Sequence, residues 1–449
     1  YMSLWYDVPG AQVIWGGHDA GYPRASRPAG LVRELDAALG VHPTFHNDFN
    51  CAWWHPPAVE ALTAGLHTGS RRRSDALAHL LRRVPHWNLL MTVLSEGHSA
   101  GEMFWHGLAS PDHPLARTPT ADLCRARLID VYRELDAALG RILDLLPADA
   151  AVMVASVHGM EVNHYDVPSM ALLPELLYRA NFNRARLQPA SPRAIRRWKR
   201  AGCPPVIPAA HHQWDDWLRL HFGPQSLSTR WREFRIARGW RRPARRVEDP
   251  TVPIPPEDPR PPEAIDEPRW ELTWQPTVWY RDAWPRMRAF AAPLFYDGRV
   301  RINLAGRDRD GLVSPDDYPA ALAWVESILH ACRDVRSGRP AVESITRLRQ
   351  SDPLSRSGTD ADLLITWNPG VDAIAHPDLG VIGPVPFRRT GGHTSRGFAC
   401  LAGPGVCPAD LPQRDALGLT AELADLLRAA TAGAPPAASH APDLAAAGH

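Results

Sequence analysis

The sequence is poor in lysine, in net charge and in long apolar runs. Lys199 is the only lysine among 449 residues, so arginine supplies almost all of the positive charge. The formal net charge is only +1 at pH 7, from 50 basic and 49 acidic side chains. This balance gives no reason to expect a nucleic-acid or membrane-surface partner. No apolar run reaches the length of a membrane span, so no membrane partner is expected either.

Cysteine is also sparse, with 6 residues that show no CxxC pair and no dense spacing. In a chain of this size such a pattern argues against a disulfide framework. It favours a reducing compartment, and we therefore expect a cytoplasmic location. The chain opens at Tyr1 without a charged and then apolar signal segment, and we expect the natural N-terminus to lie upstream.

The order of the predicted elements indicates an α/β fold, because short β-type runs alternate with longer amphipathic stretches. The hydrophobic content of 45% allows one large domain with an insertion, or two domains. Helices are predicted over 29–39, 70–84, 120–146, 318–332 and 419–430, and strands over 11–15, 89–94, 151–156, 299–304, 363–367 and 398–402.

An Arg-, Trp- and Pro-rich stretch without periodicity interrupts these elements. It divides the chain into a first part of the core domain (1–182), an insertion or cap (183–290) and a second part of the core (291–430). The Ala-, Pro- and Gly-rich tail (431–449) is predicted to be disordered. The cap mixes basic and aromatic residues, but the overall neutrality favours an ordinary cap over a nucleic-acid interface.

Three short segments place a histidine beside glycine at the end of a predicted strand. After the first strand, His98 and Glu102 are four residues apart, and a helical turn would point both to one side. His158 follows directly on the apolar strand 151–156, and His393 lies in a glycine-flanked loop before the strand 398–402. Imidazole and carboxylate are ligands that Zn²⁺ and Mn²⁺ accept. Together the segments predict a metal site at the strand ends.

At these segments the sequence resembles the type I phosphodiesterase/nucleotide pyrophosphatase family of the alkaline phosphatase superfamily. That family has Asp-x-x-Gly-His, then Ser-Asp-His-Gly, then a late Gly-x-His before Gly-Pro-Gly. The resemblance covers roughly residues 1–182 and 290–430. It implies a three-layer α/β/α sandwich with a mostly parallel sheet and an inserted cap. It also implies a divalent metal, most simply zinc, and a small phosphorylated substrate.

Carried over by residue, the resemblance puts His98, Glu102 and His393 on one metal, although two of these three differ in type from the family pattern. His158 occupies a ligand position of a second metal, whose Asp partner is replaced by Val157. The family's nucleophilic Thr or Ser, and an N-terminal Asp ligand, are expected upstream of Tyr1. One or two ions are therefore possible, and the second site is the weaker.

Three explanations of these departures stay open: a fragment of a longer active enzyme, a one-metal variant, or a non-catalytic relative that binds a phosphorylated ligand or a partner protein. In each case residues 1–449 are expected to show weak or no phosphatase activity. Sulfate or phosphonate ester chemistry would use the same metal cage. The sequence does not choose among them.

Further side chains are candidates for the substrate cleft. Arg389 precedes the late histidine and is predicted to clamp a phosphate oxygen, with a salt bridge as the alternative. His164, His18 and Asp19 are predicted to face the cleft.

Two further side chains have two interpretations each. Glu96 either supports His98 or is a solvated strand-end charge. His106 either approaches the metal or packs within the fold.

Overall fold

The computed structural model describes residues 11–16, 24–43, 52–187, 192–200, 231, 235, 238, 256–260, 275–294, 296–349, 352–354, 360–404 and 418. Several sequence predictions lie outside these residues: His18, Asp19, the helix over 419–430, the tail over 431–449 and most of the cap. The division into domains stays a prediction.

The helices are concentrated in the first 200 residues. They are α1 (Leu31–Leu39), α2 (Pro56–Arg83), α3 (Glu96–Phe104), α4 (Ala121–Leu143), α5 (Leu173–Phe182) and α6 (Pro192–Arg200), with α7 (Tyr318–Ala331) in the second part of the chain. Single 3₁₀ or π turns occur at Trp105–Leu108, Pro114–Arg117, Pro168–Leu172, Pro276–Tyr280 and Trp284–Arg286.

The described strands form five small sheets. They are β1 (Gln12–Ile14), β2 (Ala25–Arg27), β3 (Val152–Ser156), β4 (Gly159–Val162), β5 (Ala289–Ala291), β6 (Gly298–Ile302), β7 (Arg333–Asp334), β8 (Val342–Arg347), β9 (Leu363–Trp367), β10 (Ile374–His376), β11 (Gly380–Ile382), β12 (Gly391–Thr394) and β13 (Phe398–Ala402). Their orders are β1-β2, β11-β10-β7, β12-β4, β13-β3 and β5-β6-β9-β8.

Helices α2 and α4 pack side by side. The short helix α3 packs against both of them and, on its other side, contacts β4 and β12. Their contact is apolar inside, where Leu62 and Leu128 are buried, and ionic at the surface. Arg127 on α4 makes a bidentate salt bridge with Glu60 on α2, with N–O distances of 2.8 and 2.9 Å. The periodicity that predicted α4 and the second half of α2, from residue 70, reflects this one-sided burial, because apolar residues at helical spacing form a single stripe; the first half of α2 was not predicted.

The four-stranded sheet β5-β6-β9-β8 forms the centre of the second half. Strands β6 and β9 alternate buried and half-buried positions, as expected for a sheet with one face on the core. Helix α7 packs on this sheet through Leu322 and Val325. A single buried apolar cluster extends from Ala52 to Phe387, so the first and second parts of the chain share one core.

The strand predicted over 89–94 is absent from the structure, which has no regular element between Val84 and Ser95. Leu89, Met91 and Val93 are instead 57%, 53% and 44% exposed. The alternation of apolar residues suits a strand, but no described strand pairs with this segment, and pairing is what creates a strand. The prediction was wrong here because it was based on a local signal alone.

The sheets also differ from the predicted mostly parallel arrangement. Each pairing between described strands is antiparallel, and the one parallel contact among them is the isolated bridge between Leu304 and Val313. The chain does contain both helices and strands, and several described strand pairs are ribbons that join distant segments, such as β3 with β13. None of the described helices is both long and apolar enough to cross a membrane.

Candidate metal centre

Three separate elements bring His98, His158 and His393 together. His98 lies in the first turn of α3, and His158 lies in the tight turn between β3 and β4. His393 lies in β12, whose antiparallel register with β4 places it opposite Met160. Because β12 pairs with β4 and β13 pairs with β3, His393 from late in the chain lies beside the β3–β4 turn that contains His158.

The three imidazoles are in direct contact. The Nε2 atoms of His98 and His393 are 2.6 Å apart. The His158 and His393 rings stack with centroids 3.9 Å apart, and His98 meets His158 edge-on at 5.7 Å. One ligand nitrogen from each lies within 4.8 Å of the other two, and no other group of three such side chains converges among the described residues.

Glycines allow β12 to enter the narrow space beside α3. A Cβ on Gly391 would lie 1.9 Å from the backbone oxygen of Gly101, and one on Gly392 would lie 2.1 Å from the Tyr165 hydroxyl oxygen. Both distances are far below any real contact of a Cβ atom. The Gly-Gly-His sequence is therefore a requirement of close approach, since only glycine lacks the atom that would collide.

Neighbouring polar groups hold the histidine-bearing backbone in place. The Ser156 hydroxyl donates to the backbone oxygen of His158 at 2.6 Å, and the Tyr165 hydroxyl donates to that of His393 at 3.0 Å. The ring of Tyr296, which is 39% exposed, stacks on His393 with centroids 4.8 Å apart. Nδ1 of His158 lies 3.2 Å from the backbone oxygen of Gly159, which favours the tautomer with a free Nε2 lone pair.

Electrostatics keep the site able to bind a cation. Burial, His158 and Arg389 lower the pKa of His393 to about 3, so this imidazole is neutral at physiological pH. A metal ligand must be neutral imidazole, and three of them are a ligand set that Zn²⁺ accepts. Tetrahedral zinc with bonds of about 2.0–2.1 Å would hold the ligand nitrogens about 3.3 Å apart. The Nε2 atoms of His98 and His393 are closer than this, so these two rings would move apart to hold an ion; three converging imidazoles are a donor set that fits a divalent metal.

Glu102 lies apart from this group. Its side chain is 1% exposed and bonded to Nη1 of Arg389, while its Oε2 has no hydrogen-bond partner among the described residues. Arg389 is itself 2% exposed, and its Nε and Nη2 donate to Asp166 at 2.7 and 3.1 Å. The structure thus places the predicted ligand Glu102 and the predicted phosphate clamp Arg389 in one buried ionic cluster, the salt-bridge alternative noted for Arg389. Their ligand and clamp roles are still sequence predictions.

The remaining predicted residues take positions of their own. His164 is half-buried just beyond β4, with its Nδ1 3.6 Å from Glu161 and its ring against Tyr165. It therefore lies on the segment that follows β4. Val157, at the position of the missing Asp, is 61% exposed.

Glu96 is not a solvated charge, because it is 1% exposed and bonds both His42 and Arg73. Burial raises its pKa, but Arg73 and His42 outweigh burial and hold the pKa at about 2. This buried pair anchors the start of α3 two residues before His98.

His106 does not approach the other histidines. It packs on Trp53 with ring centroids 5.1 Å apart, and its Nε2 lies 3.3 Å from the Thr120 hydroxyl. Packing within the fold is therefore the correct interpretation of His106.

Asp166, Tyr165 and Tyr296 surround the site but were not singled out from the sequence. Tyr165 and Asp166 come a few residues after β4. Their closeness to His158 in the sequence is the signal that could have marked them as neighbours of the site. Nothing local marks Tyr296, which reaches the site from the loop after β5.

The fold and site define an α/β chain with a three-histidine centre built on antiparallel ribbons. Residues 2–200, fewer than half of the 449, match the family model "Type I phosphodiesterase / nucleotide pyrophosphatase". The match confirms the resemblance drawn from the motifs and implies an alkaline-phosphatase-like α/β fold. It includes His98 and His158, whereas His393 lies beyond it. No curated protein and no solved structure gives a significant match.

Proposed function

We propose that this chain is a metal-dependent hydrolase of phosphate esters, of the phosphodiesterase or phosphatase type, acting on a small phosphorylated substrate. The family of residues 2–200 is one of phosphodiesterases and nucleotide pyrophosphatases. The single observation that supports a catalytic centre is the convergence of three imidazoles from distant segments. A cytoplasmic location, expected from the cysteine pattern, is part of the proposal, as is the three-layer sandwich implied by the resemblance.

We infer that His98, His158 and His393 hold one divalent ion and that the ion is zinc. Three neutral imidazoles with a remaining open position are typical of catalytic zinc sites. When bound, such an ion supplies Lewis acidity toward a phosphoryl oxygen and makes water acidic enough to react near neutral pH. A second ion is not part of the proposal, because Val157 replaces the carboxylate that the family uses there.

The chain's own groups orient the ligands and shape the surroundings. Ser156 and Tyr165 hold the backbones of His158 and His393, so the rings enter the site from fixed directions. Burial is the main cause that raises the pKa of Tyr165, which therefore stays protonated and continues to donate its hydrogen bond. The exposed ring of Tyr296 forms the solvent side of His393 and is the surface that a substrate would meet first.

Metal content and turnover of the purified chain test this proposal. We expect about one zinc per chain by elemental analysis, and at most weak metal-dependent hydrolysis of bis-p-nitrophenyl phosphate or p-nitrophenyl phosphate. His98→Ala, His158→Ala and His393→Ala should each lose both, whereas the exposed His86→Ala, the matched control, should keep both. A wild-type chain that binds no divalent ion would sink the proposal.

A second function, the binding of a phosphorylated ligand or partner without catalysis, is favoured by one observation. Val157 removes a carboxylate from the place where the family has a ligand, and its side chain is well exposed. The same experiment separates the two functions: bound zinc with no turnover of either ester, together with metal-dependent binding of a phosphate monoester in calorimetry, identifies the non-catalytic form.

A further inference from the structure

Each of the three segments that carries a site histidine also contributes one member of a buried ionic cluster. Helix α3 carries His98 and, one turn later, Glu102. The segment around β4 begins at His158 and continues to Asp166. The segment leading into β12 contains Arg389 and, four residues later, His393. We name Glu102, Asp166 and Arg389 the ionic triad.

We propose that the ionic triad positions the three histidines for metal binding. It acts through the backbone segments that it joins and touches neither the metal nor the substrate. This inference rests on the proposed metal centre and assigns Glu102 and Arg389 a role that their sequence motifs did not suggest.

The geometry of the triad fixes direction as well as distance. Arg389 makes a bidentate salt bridge with Asp166, in which Nε donates at 2.7 Å and Nη2 at 3.1 Å. Its Nη1 donates a further hydrogen bond to Glu102. A planar guanidinium held by two carboxylates has one orientation, because its donors are arranged in a rigid fork. The three segments are therefore held in one relative arrangement at a single point.

Backbone bonds extend this junction toward the histidines. The amide of Thr390 donates to the backbone oxygen of Glu102 at 2.9 Å, and the amide of Asn163 donates to the oxygen of Thr390 at 2.8 Å. The side-chain amide of Asn163 donates to the oxygen of Gly391 at 3.2 Å. A displacement of Arg389 would thus be transmitted to β12 and to α3, where two of the histidines lie.

Charge and burial argue against a direct role for the triad in binding phosphate. All three side chains are at most 2% exposed, so a substrate oxygen does not reach the guanidinium. Nε and Nη2 of Arg389 already donate to Asp166 and Nη1 donates to Glu102, so the guanidinium is committed to these two carboxyl groups. A buried ion pair adds little stability over apolar packing of the same volume, but it does fix geometry. That property is what a metal site needs, since its ligands must be held to about 0.5 Å.

Metal affinity of single isosteric variants is the test. Glu102→Gln and Asp166→Asn each leave one carboxylate with one guanidinium, so neither variant buries an unpaired charge and the chain should fold. Arg389→Lys keeps the positive charge but loses the planar guanidinium that makes the bidentate contact with Asp166. We expect each variant to bind Zn²⁺ and Co²⁺ about 10–100-fold more weakly, the usual cost of losing a group that orients metal ligands. The visible spectrum of bound Co²⁺ should also change, because the histidines no longer hold one arrangement.

A matched control separates positioning from general stability. Glu175 and Arg179 form another buried ion pair, with side chains 0% and 6% exposed, away from the histidines. Glu175→Gln should lower the melting temperature of the metal-free chain and leave its affinity for Zn²⁺ and Co²⁺ unchanged.

The outcomes distinguish the proposals. If wild type binds metal and Asp166→Asn and Arg389→Lys bind it equally well with an unchanged Co²⁺ spectrum, the positioning role is wrong and the metal centre stands. If only Glu102→Gln loses affinity, Glu102 is a ligand, as its sequence motif predicted, and the positioning role is again wrong. A wild-type chain without metal affinity overturns the metal centre and the positioning role with it.

Discussion

Two buried charge clusters in this protein are built in opposite ways. In the four-stranded sheet, Asp362 is one carboxylate with several donors: Arg307 at 2.7 Å, the Tyr318 hydroxyl at 2.8 Å and the amide of Ile302 at 2.7 Å. Beside the histidines, the ionic triad has two carboxylates on one guanidinium, and Oε2 of Glu102 has no hydrogen-bond partner among the described residues.

The difference shows which cluster supports the fold and which supports the site. A carboxylate with a surplus of donors is fully compensated, and removing it deprives a buried cation of its main partner. A cluster with a surplus of carboxylates is less well compensated, and removing one charge from it costs little stability. The sheet cluster should therefore dominate the free energy of unfolding, and the triad should dominate metal affinity.

The largest expected effect is on the sheet cluster. Asp362→Ala leaves the nearly buried guanidinium of Arg307 without its main partner, and we expect a loss of about 3–5 kcal/mol in the free energy of unfolding. Urea denaturation of the purified variant measures it. Asp360→Ala is the control, because Asp360 is fully exposed and lies 3.9 Å from Arg301, and such surface ion pairs contribute little to stability. Equal losses in the two variants would remove the contrast between buried and exposed charge.

The next effect concerns close approach of the backbone at the site. Gly391→Ala places a Cβ against the oxygen of Gly101, and we expect a loss of about 1–3 kcal/mol as the strand moves away from α3. Zinc affinity should fall in parallel, because His393 lies on the same strand. Gly140→Ala in α4 is the control: nothing lies within 4 Å of its added Cβ. Since alanine favours helix over glycine, that variant should gain up to about 1 kcal/mol. A neutral Gly391→Ala would show that β12 has room to shift.

A smaller effect depends on pH. Burial, with a contribution from His113, lowers the pKa of His106 to about 3 from an ordinary value of 6.5. The unfolded chain therefore binds one more proton than the folded chain between these pH values, and folding stability falls as pH falls through that window. His106→Gln should make the slope shallower by up to about 1.4 kcal/mol per pH unit. Denaturation curves at pH 7, 6 and 5 measure the slope, and an unchanged slope would mean that His106 is protonated in the folded chain.

The smallest expected change in stability is that of Glu102→Gln. Glutamine keeps an acceptor for Arg389 while removing the surplus charge, so we expect a change of about 1 kcal/mol or less. The same urea experiment as for Asp362→Ala makes the comparison direct. If the two variants lose equal stability, the triad is as important to the fold as the sheet cluster, and the contrast between them fails.

Prediction from the sequence succeeded where the determining interactions are local. The second half of α2, the helices α4 and α7 and the strands β9 and β13 were visible as periodic or apolar runs, because one-sided burial leaves a pattern in the sequence. The strand predicted over 89–94 failed because strand formation needs a partner. The predicted parallel order of strands likewise was not found among the described pairs, since pairing depends on segments far apart in the chain.

For the candidate site, the sequence marked each of the three histidines as a metal ligand but did not predict that all three would meet at one point. Their glycine neighbours and strand-end positions marked His98, His158 and His393, and the resemblance divided them between two metals. The β4–β12 pairing instead brings all three together, which only the register of two distant strands decides. The partners of Glu102 and Arg389 were equally invisible, because Asp166 carries no local mark of its role.

The amino-acid sequence by itself determined the family resemblance of residues 2–200, the types of side chain available for metal binding and most of the described helices. These follow from short motifs and local periodicity, which the order of residues contains directly. Tertiary structure alone decided that three imidazoles meet at one point and that a buried guanidinium joins the segments carrying them. The physical reason is that such contacts are formed between residues more than 200 positions apart, at distances set by packing and strand register.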